Sequence, residues 1–230
     1  MGVTASQTTG ATAWRGGRGR FIVLEGPDGA GKSVQATRLA ERLAERGLSV
    51  TLTREPGGTR LGEQVRDILL DPSDVARGPI ADALLFNAAR SQLVPEVIQP
   101  ALARGDIVVC DRYATSTIAY QGYGSGLDLE MLAAIATWVT GGLKPDLVVF
   151  IDVPVELGLA RRDAGRVEEM TRFEDGQRHD LAFHGRVQEG YRAMAAADPD
   201  GWRVIDGRGT PDDVAEAVWR AVDASFLRQE

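Results

Sequence analysis

The sequence predicts an α/β protein in which a parallel sheet of five strands carries helices on both faces. Five short runs of apolar and β-branched residues alternate with longer stretches of helical periodicity, the pattern of a parallel sheet joined by crossover helices. The strand runs are apolar almost throughout, as is typical of strands that are buried on both faces. The 230 residues, 43% of them hydrophobic, are enough for one such domain.

The predicted elements follow one another from residue 21 onward. The strands are Phe21–Glu25, Ser49–Arg54, Ile107–Asp111, Leu147–Asp152 and Trp202–Asp206. The helices span about Ser33–Arg46, Leu61–Leu70, Ile80–Arg104, Asp128–Thr140, Val155–Asp163, Gln177–Ala197 and Asp212–Leu227. Gly47 suits the end of a helix, and Pro79 and Pro211 suit the start of one. We expect a single domain over residues 20–230 and a disordered tail over residues 1–19.

The composition argues against several classes of protein. A net charge of −7 gives the chain no overall basic surface for a nucleic-acid polymer. The single cysteine, Cys110, cannot form an internal disulfide and fits a reducing cytoplasm. No run reaches the roughly 18 apolar residues of a membrane span. The opening MGVTAS matches a loose myristoylation pattern, but so permissive a match favours an unstructured tail. We therefore expect a cytoplasmic protein without membrane or nucleic-acid partners.

The stretch FIVLEGPDGAGKS carries a phosphate-binding motif between a predicted strand and a predicted helix. Gly26, Gly31, Lys32 and Ser33 fit Gly-x-x-x-x-Gly-Lys-[Ser/Thr], in which main-chain N–H groups, the lysine and the helix N-terminus hold phosphates. The serine is a ligand for Mg²⁺. The alternative is a glycine-rich turn with an incidental lysine, which this context disfavours. The motif predicts a P-loop NTPase fold, with ATP bound by Gly26, Pro27, Asp28, Gly29, Ala30, Gly31, Lys32, Ser33 and Val34.

Two further groups of residues point to the second substrate. Asp111 ends an apolar strand, so its carboxylate could join the Mg²⁺ shell, partly through water, or orient a neighbouring arginine. Arg112 could bind a monoester phosphate through its planar fork. Phe86 and Arg90 lie four residues apart on one helix face, where a ring and a donor could bind a base. The alternatives are a strand-end cap for Asp111, a surface ion pair for Arg112 and a core position for Phe86.

These residues resemble the thymidylate kinase family. The segments that carry the resemblance are EGPDGAGKS, TREPGGT, LLFNAARSQLV, IQPALARG, DRYATSTIAYQG, KPDLVVFIDV and an arginine-rich stretch with TRFE, from about residue 21 to 206. REPGG together with DRY…AYQG in this order is specific to the family. The similarity is to its bacterial members, whose lid supplies a catalytic arginine that the phosphate loop lacks.

The resemblance implies transfer of the ATP γ-phosphoryl group to dTMP, giving dTDP for dTTP synthesis. It implies that Phe86 stacks on thymine and that Arg90 bonds the O4 edge. It also implies that Arg112 holds the dTMP phosphate, with Arg54 nearby. Some relatives use an asparagine for thymine N3, where this chain has Thr117 or Ser116.

The resemblance also assigns three residues around the sugar. Tyr120 fills the space of a ribose 2′-hydroxyl, and Gln121 helps to shape the pocket. Asp28 accepts a hydrogen bond from the 3′-hydroxyl, which explains an acid within an anion-binding loop. The alternative for Asp28 is a turn-stabilising contact with its own backbone.

A polar stretch at about residues 161–178 is the predicted lid. It contains Arg161, Arg162, Arg166 and Arg172 among five acids, so a solvated charge run is the alternative. Phosphoryl transfer needs a cation on the moving group, which favours a lid. We expect Arg162 and Arg166 on the phosphates, with Arg172 as the next candidate. The predicted catalytic residues are Lys32, Arg112, Arg162, Arg166 and Arg172.

The expected mechanism is an in-line displacement without a strong general base, since the acceptor phosphate is already ionised near neutral pH. Rival functions are another nucleoside monophosphate or deoxynucleoside kinase, a partner-regulated P-loop ATPase and a non-catalytic binding module. Relatives are dimers through helix packing, so a homodimer is expected. The long helix near Ile80–Arg104 could form its interface, or could equally be internal.

Overall fold

A single parallel sheet forms the centre of the molecule. The computed structural model describes residues 18–70, 77–164 and 180–227. The strands are β1 (Arg20–Glu25), β2 (Val50–Arg54), β3 (Ile107–Asp111), β4 (Leu147–Asp152) and β5 (Trp202–Asp206). They lie in the order β2-β3-β1-β4-β5, and every neighbouring pair is parallel. The predicted five-stranded parallel sheet is confirmed.

Helices connect all of these strands. They are α1 (Lys32–Glu45), α2 (Arg60–Leu70), α3 (Pro79–Leu93), α4 (Gln99–Ala103), α5 (Ala114–Thr117), α6 (Leu129–Thr140), α7 (Val155–Ala164), α8 (Leu181–Ala197) and α9 (Pro211–Val222). π-Helical segments at Val94–Ile98, Ile118–Gly124 and Asp223–Leu227 extend α3, α5 and α9. The helical segment formed by α5 and Ile118–Gly124 was not predicted. None of the helices in the described ranges is long and apolar enough to cross a membrane.

Alternate residues of β1 face two separate cores, so both faces of the sheet are covered. Ile22 and Leu24 pack with α1 and α9 in a cluster that includes Trp219. Phe21 and Val23 pack on the opposite face with the α3–α4 region. Burial of β1 from both sides is why its sequence is apolar without alternation.

The carboxyl ends of the strands bring the candidate residues to one edge of the sheet. Asp111 at the end of β3 pairs in register with Leu24 of β1 and with Arg54 of β2. The phosphate loop leaves β1 at this edge, where ligands bind in sheets of this kind. Residues 1–17 of the predicted tail, and 165–178 of the predicted lid, lie outside the described residues.

Candidate active site

The phosphate loop turns tightly between β1 and α1. Gly29 and Gly31 have φ angles of 71° and 85°, in the left-handed region that glycine adopts readily. A Cβ on Gly29 would lie 1.9 Å from the carbonyl oxygen of Gly158, so α7 packs directly on the loop. Inside the turn, the Lys32 ammonium donates a hydrogen bond to the carbonyl oxygen of Pro27 at 2.8 Å.

The charge of Lys32 is held in a buried position. Burial, followed by the repulsion of Arg112, lowers the pKa of Lys32 to about 8, although Asp28 and Asp111 act in the opposite direction. An anionic ligand in the loop would relieve this shift, because a nearby negative charge stabilises the ammonium. The nearby acids therefore do not fully balance the positive charge of Lys32 in the loop.

Ser33 and Asp111 meet beside the loop. The Ser33 hydroxyl donates to Oδ2 of Asp111, while Oδ1 is buried and has no hydrogen-bond partner within the described residues. These residues contain no cluster of three or more His, Cys, Asp or Glu side chains that could hold a metal. One hydroxyl and one carboxylate suit Mg²⁺, which commonly takes one or two protein oxygens together with substrate phosphates and water.

Arg112 connects the loop to the next cavity. Its φ angle of 70° is left-handed, which is uncommon for any residue but glycine and occurs often at functional sites. One guanidinium nitrogen, Nη2, donates to Oδ1 of Asp28 at 2.6 Å and to the Tyr120 hydroxyl at 3.2 Å. The other, Nη1, lies 3.4 Å from the carbonyl oxygen of Gly26. The fork is held by several weak contacts and one strong ion pair.

Asp28 is ionised in this arrangement. Burial alone would raise the pKa of its carboxyl, but Arg112, Lys32 and the Tyr120 hydrogen bond outweigh burial and hold the pKa below its usual range. Tyr120 donates to the same oxygen, Oδ1, at 2.8 Å. The acid in the anion-binding loop is thus balanced by an arginine from the end of β3.

A cavity of about 220 Å³ opens next to Arg112. Phe86 lines it and also packs against Val65, Leu69 and Ala89, so its ring has both a core side and a cavity side. The other lining residues are Asp28, Glu55, Pro56, Arg66, Leu69, Leu70, Arg112, Ser116, Thr117, Tyr120 and Gln121. A planar apolar group with polar substituents matches this lining.

Comparisons with known proteins identify the family of this chain. A family model described as thymidylate kinase matches residues 24–218. The chain belongs to the thymidylate kinase family. It is 52% identical over 208 residues to thymidylate kinase from Thermomicrobium roseum, covering 90% of this chain and 96% of that protein. It is 48% identical over 205 residues to the Deinococcus radiodurans enzyme, covering 89% and 97%.

A solved structure shows the same fold. The thymidylate kinase of Ehrlichia chaffeensis aligns with a TM-score of 0.73 at 32% identity, covering 89% of this chain and 99% of that one. The P-loop NTPase fold predicted from the sequence is confirmed. As a thymidylate kinase, the chain phosphorylates dTMP to dTDP with ATP, which confirms the predicted activity.

The residues predicted to bind dTMP in this thymidylate kinase do not all reach the cavity. Arg90 is fully buried behind it, and its nitrogens already bond Glu55, Asn87, the carbonyl oxygen of Tyr113 and Oγ1 of Thr117. Arg54 is half-exposed at the end of β2 and pairs with Glu63 at 3.2 Å. Neither is among the lining residues, so their contacts with dTMP stay predictions.

The predicted lid arginines divide into two groups. Arg161 and Arg162 lie on the last turn of α7, while Arg166 and Arg172 lie outside the described residues. Arg162 is nine-tenths buried, and within the described part of the chain its guanidinium has no hydrogen bond and only a 3.6 Å contact with Asp163. Arg161 instead donates to the carbonyl oxygens of Gly207, Arg208 and Gly209.

Three residues of the site were missed by sequence reasoning. Glu25 and Glu55 are buried acids at strand ends, and Arg66 lines the cavity from α2, donating to the carbonyl oxygen of Pro56 at 3.1 Å. Glu55 pairs with Arg90 at 2.7 Å. Glu25 ends a predicted strand and Glu55 directly follows one, positions at the ligand-binding edge that could have identified them as site residues. No sequence signal marks Arg66, because helical periodicity does not show whether a polar residue faces a ligand or solvent.

Proposed function

We propose that ATP binds the phosphate loop, that dTMP occupies the cavity lined by Phe86, and that Arg112 holds the acceptor phosphate between them. The observation that carries this assignment is the position of Arg112, which contacts Gly26 and Asp28 of the loop and also lines the cavity. A phosphate on its fork would lie beside the place where the loop holds the donor.

The transfer needs positioning and positive charge rather than a base. The phosphate of dTMP is ionised near neutral pH and can attack directly once it is held in line. Lys32 supplies charge on the donor side, and Arg112 on the acceptor side. A lid arginine completes the set. Arg162 is our first candidate among the described residues because its guanidinium has no hydrogen bond there, and Arg166 and Arg172 remain candidates.

We propose Mg²⁺ as the cofactor, held by Ser33 and Asp111, partly through water. The buried, unpartnered Oδ1 of Asp111 supports this assignment. When bound with ATP, Mg²⁺ would supply positive charge to balance the negative charge that develops on the phosphates. Ser33 and Asp111 orient that site from α1 and β3.

The base and the sugar are assigned to separate sides of the cavity. Phe86 stacks on thymine, with Gln121 shaping the pocket. Thr117 and Ser116 are both candidate acceptors for the thymine N3–H, because both line the cavity; the Ser116 hydroxyl donates to Glu25 at 2.7 Å, and the Thr117 hydroxyl accepts from Arg90 at 3.1 Å. Both bonds to Asp28 use Oδ1, so we assign Oδ2 to the 3′-hydroxyl of the sugar.

We propose that the enzyme is a cytoplasmic homodimer. Exposed apolar residues on α3 (Ile80, Leu84) and α6 (Met131, Trp138) support a second copy as the partner, since these helices pack against each other. Trp138 is 83% exposed, which is unusual for so large an apolar side chain. The buried, single Cys110 and the nucleotide substrates support the cytoplasm.

A substrate panel tests the proposed function. Purified enzyme with Mg-ATP is offered dTMP, dUMP, dCMP, dGMP, UMP and free thymidine, and ADP formation is followed. We expect dTMP to be turned over best and free thymidine to be inert, because Arg112 needs a phosphate. Turnover of thymidine at a rate similar to that of dTMP would contradict the assignment.

A further inference from the structure

Glu25 is a buried acid that has no role in the site as assigned so far. It is the last residue of β1 and is fully buried. Its Oε1 accepts from the N–H groups of Tyr113 and Ser116, at 3.0 and 3.1 Å, and from the Thr115 hydroxyl at 2.6 Å. Its Oε2 accepts from the hydroxyls of Ser116 and Tyr191 at 2.7 and 2.8 Å. Five donors therefore converge on one carboxylate.

The two hydroxyls on Oε2 also contact Arg112. Its Nη1 donates to Oγ of Ser116 at 3.2 Å and to the Tyr191 hydroxyl at 3.4 Å, and these two oxygens lie 2.9 Å apart. An ionised carboxylate can only accept, so it turns the hydroxyl protons toward itself and their lone pairs toward the guanidinium. Glu25 thereby orients the two hydroxyls that accept from Nη1 of Arg112, although Glu25 itself makes no hydrogen bond with Arg112.

The main chain around Arg112 is tied to the same place. The Arg112 N–H donates to the carbonyl oxygen of Leu24 at 3.0 Å, and the next N–H, that of Tyr113, donates to Glu25. A left-handed residue other than glycine is strained and persists only where its surroundings fix it. The end of β1 therefore fixes both the backbone and the side chain of Arg112.

We infer that Glu25 is a positioning residue for the acceptor phosphate, acting on Arg112 through Ser116 and Tyr191. With Nη1 held by Ser116 and Tyr191, Nη2 of the guanidinium stays directed at Asp28 and the cavity. The inference rests on the proposed function, because it takes Arg112 as the group that binds the dTMP phosphate. The phosphate loop begins one residue after Glu25 but contributes none of the five bonds.

Glu25→Gln is the variant that tests this role. It keeps the size of the side chain but replaces an acceptor oxygen by an NH₂ donor, so the Ser116 and Tyr191 hydroxyls must turn. We expect the KM for dTMP to rise about tenfold or more, since small misplacements at a reacting group have large effects. The KM for ATP is expected to change less than about twofold, because the loop contacts are unchanged. A rise of both constants by the same factor would overturn the inference.

Two further variants separate positioning from folding. Thr115→Val removes a bond to Glu25 that does not lead to Arg112, and the KM for dTMP should stay within about twofold of the wild type. Tyr191→Phe removes one link to Arg112 and should raise that KM. In the double variant of Tyr191→Phe and Glu25→Gln, the KM for dTMP should rise by less than the product of the two separate fold-increases, because both residues act on the same nitrogen of Arg112. If Glu25→Gln does not fold, the test is the comparison of Tyr191→Phe with Thr115→Val. Equal values of the KM for dTMP in these two variants would refute the inference.

Calorimetry distinguishes a failure of this inference from a failure of the proposed function. Arg112→Gln should weaken the binding of dTMP but not that of thymidine, which lacks the phosphate, and Glu25→Gln should do the same to a lesser degree. If Arg112→Gln binds dTMP normally, the proposed function is wrong. If Arg112→Gln loses dTMP affinity while Glu25→Gln retains it, only the role of Glu25 is wrong.

Discussion

At the scale of single residues, two cations of the site, Lys32 and Arg112, are held in place before any substrate binds. Lys32, Ser33, Asp111 and Arg112 could be predicted because a motif or a strand end marks them. Glu25 also ends a predicted strand, but its role could not be predicted, because its five bonds come from side chains and backbone far away in sequence, at Tyr113–Ser116 and Tyr191. Such partners become visible only when the sheet has brought its strand ends together.

The pH dependence of ATP use should report Lys32. Its pKa in the folded enzyme is lowered from the usual 10.5 to about 8, so the ammonium predominates below pH 8 and is lost above it. We expect kcat/KM for ATP to fall above about pH 8, and the corresponding limb of kcat to lie at higher pH because bound phosphates raise the pKa of Lys32. Steady-state rates from pH 6 to 10 measure both limbs.

Unfolding does not explain this expected loss. Between pH 8 and 10.5 the unfolded state binds more protons at Lys32 than the folded state does, so the contribution of Lys32 to stability rises with pH in that window. Burial also raises the pKa of Cys110 and of Tyr120, so neither ionises near pH 8. A kcat/KM for ATP that stays level to pH 9 would argue against this view of Lys32.

Tyr120 should determine the preference for deoxyribose. Tyr120→Ala opens space for a 2′-hydroxyl, and we expect the ratio of kcat/KM for dTMP over ribothymidine 5′-monophosphate to fall about tenfold or more. Tyr120→Phe is the matched control, because it keeps the ring and loses only the hydroxyl that bonds Asp28. It should retain the preference. Competition kinetics with the two nucleotides measures the ratio, and an unchanged ratio in Tyr120→Ala would refute the assignment.

At the scale of elements, the strands were predicted better than the helical segment that follows β3 and lines the acceptor site. All five strand bounds lie within one residue of the prediction, since continuous apolar runs between helices have few alternatives. The helical segment Ala114–Gly124 was missed because its threonines, isoleucine and glycines have low helix propensity. Glu25 accepts from the N–H groups of Tyr113 and Ser116, and this tertiary contact overrides the local preference.

The close packing of α7 on the phosphate loop gives a prediction for ATP binding. A Cβ on Gly158 would lie 2.5 Å from the carbonyl oxygen of Asp28, so Gly158→Ala must push the helix or the loop aside. We expect the affinity for ATP to fall about tenfold and the melting temperature to drop. Calorimetric titration with a non-hydrolysable ATP analogue measures the affinity.

Gly185→Ala is the control for that change. Its added Cβ meets nothing within 4 Å on α8, so it should bind ATP normally and gain up to about 1 kcal/mol of stability from helix propensity. Equal ATP affinities in the two variants would show that the contact between α7 and the loop does not shape the donor site.

At the scale of the whole molecule, the exposed apolar side chains predict the assembly. Leu84→Glu on α3 and Trp138→Glu on α6 should each convert the proposed dimer to a monomer, because a charge would be buried at the interface. Val204→Glu is the matched control, since Val204 is 57% exposed, like Leu84 at 53%, but lies on β5. Light scattering after size exclusion gives the masses. A wild-type monomer, or a monomeric Val204→Glu, would contradict this assignment of the interface.

The central claim is that one arginine joins two nucleotide sites. A crystal structure with dTMP and a non-hydrolysable ATP analogue tests it most directly. We predict the thymine ring against Phe86, the dTMP phosphate on the fork of Arg112 and the γ-phosphate of the analogue beside Lys32. Thymine bound away from Phe86, or a dTMP phosphate out of reach of Arg112, would contradict the account.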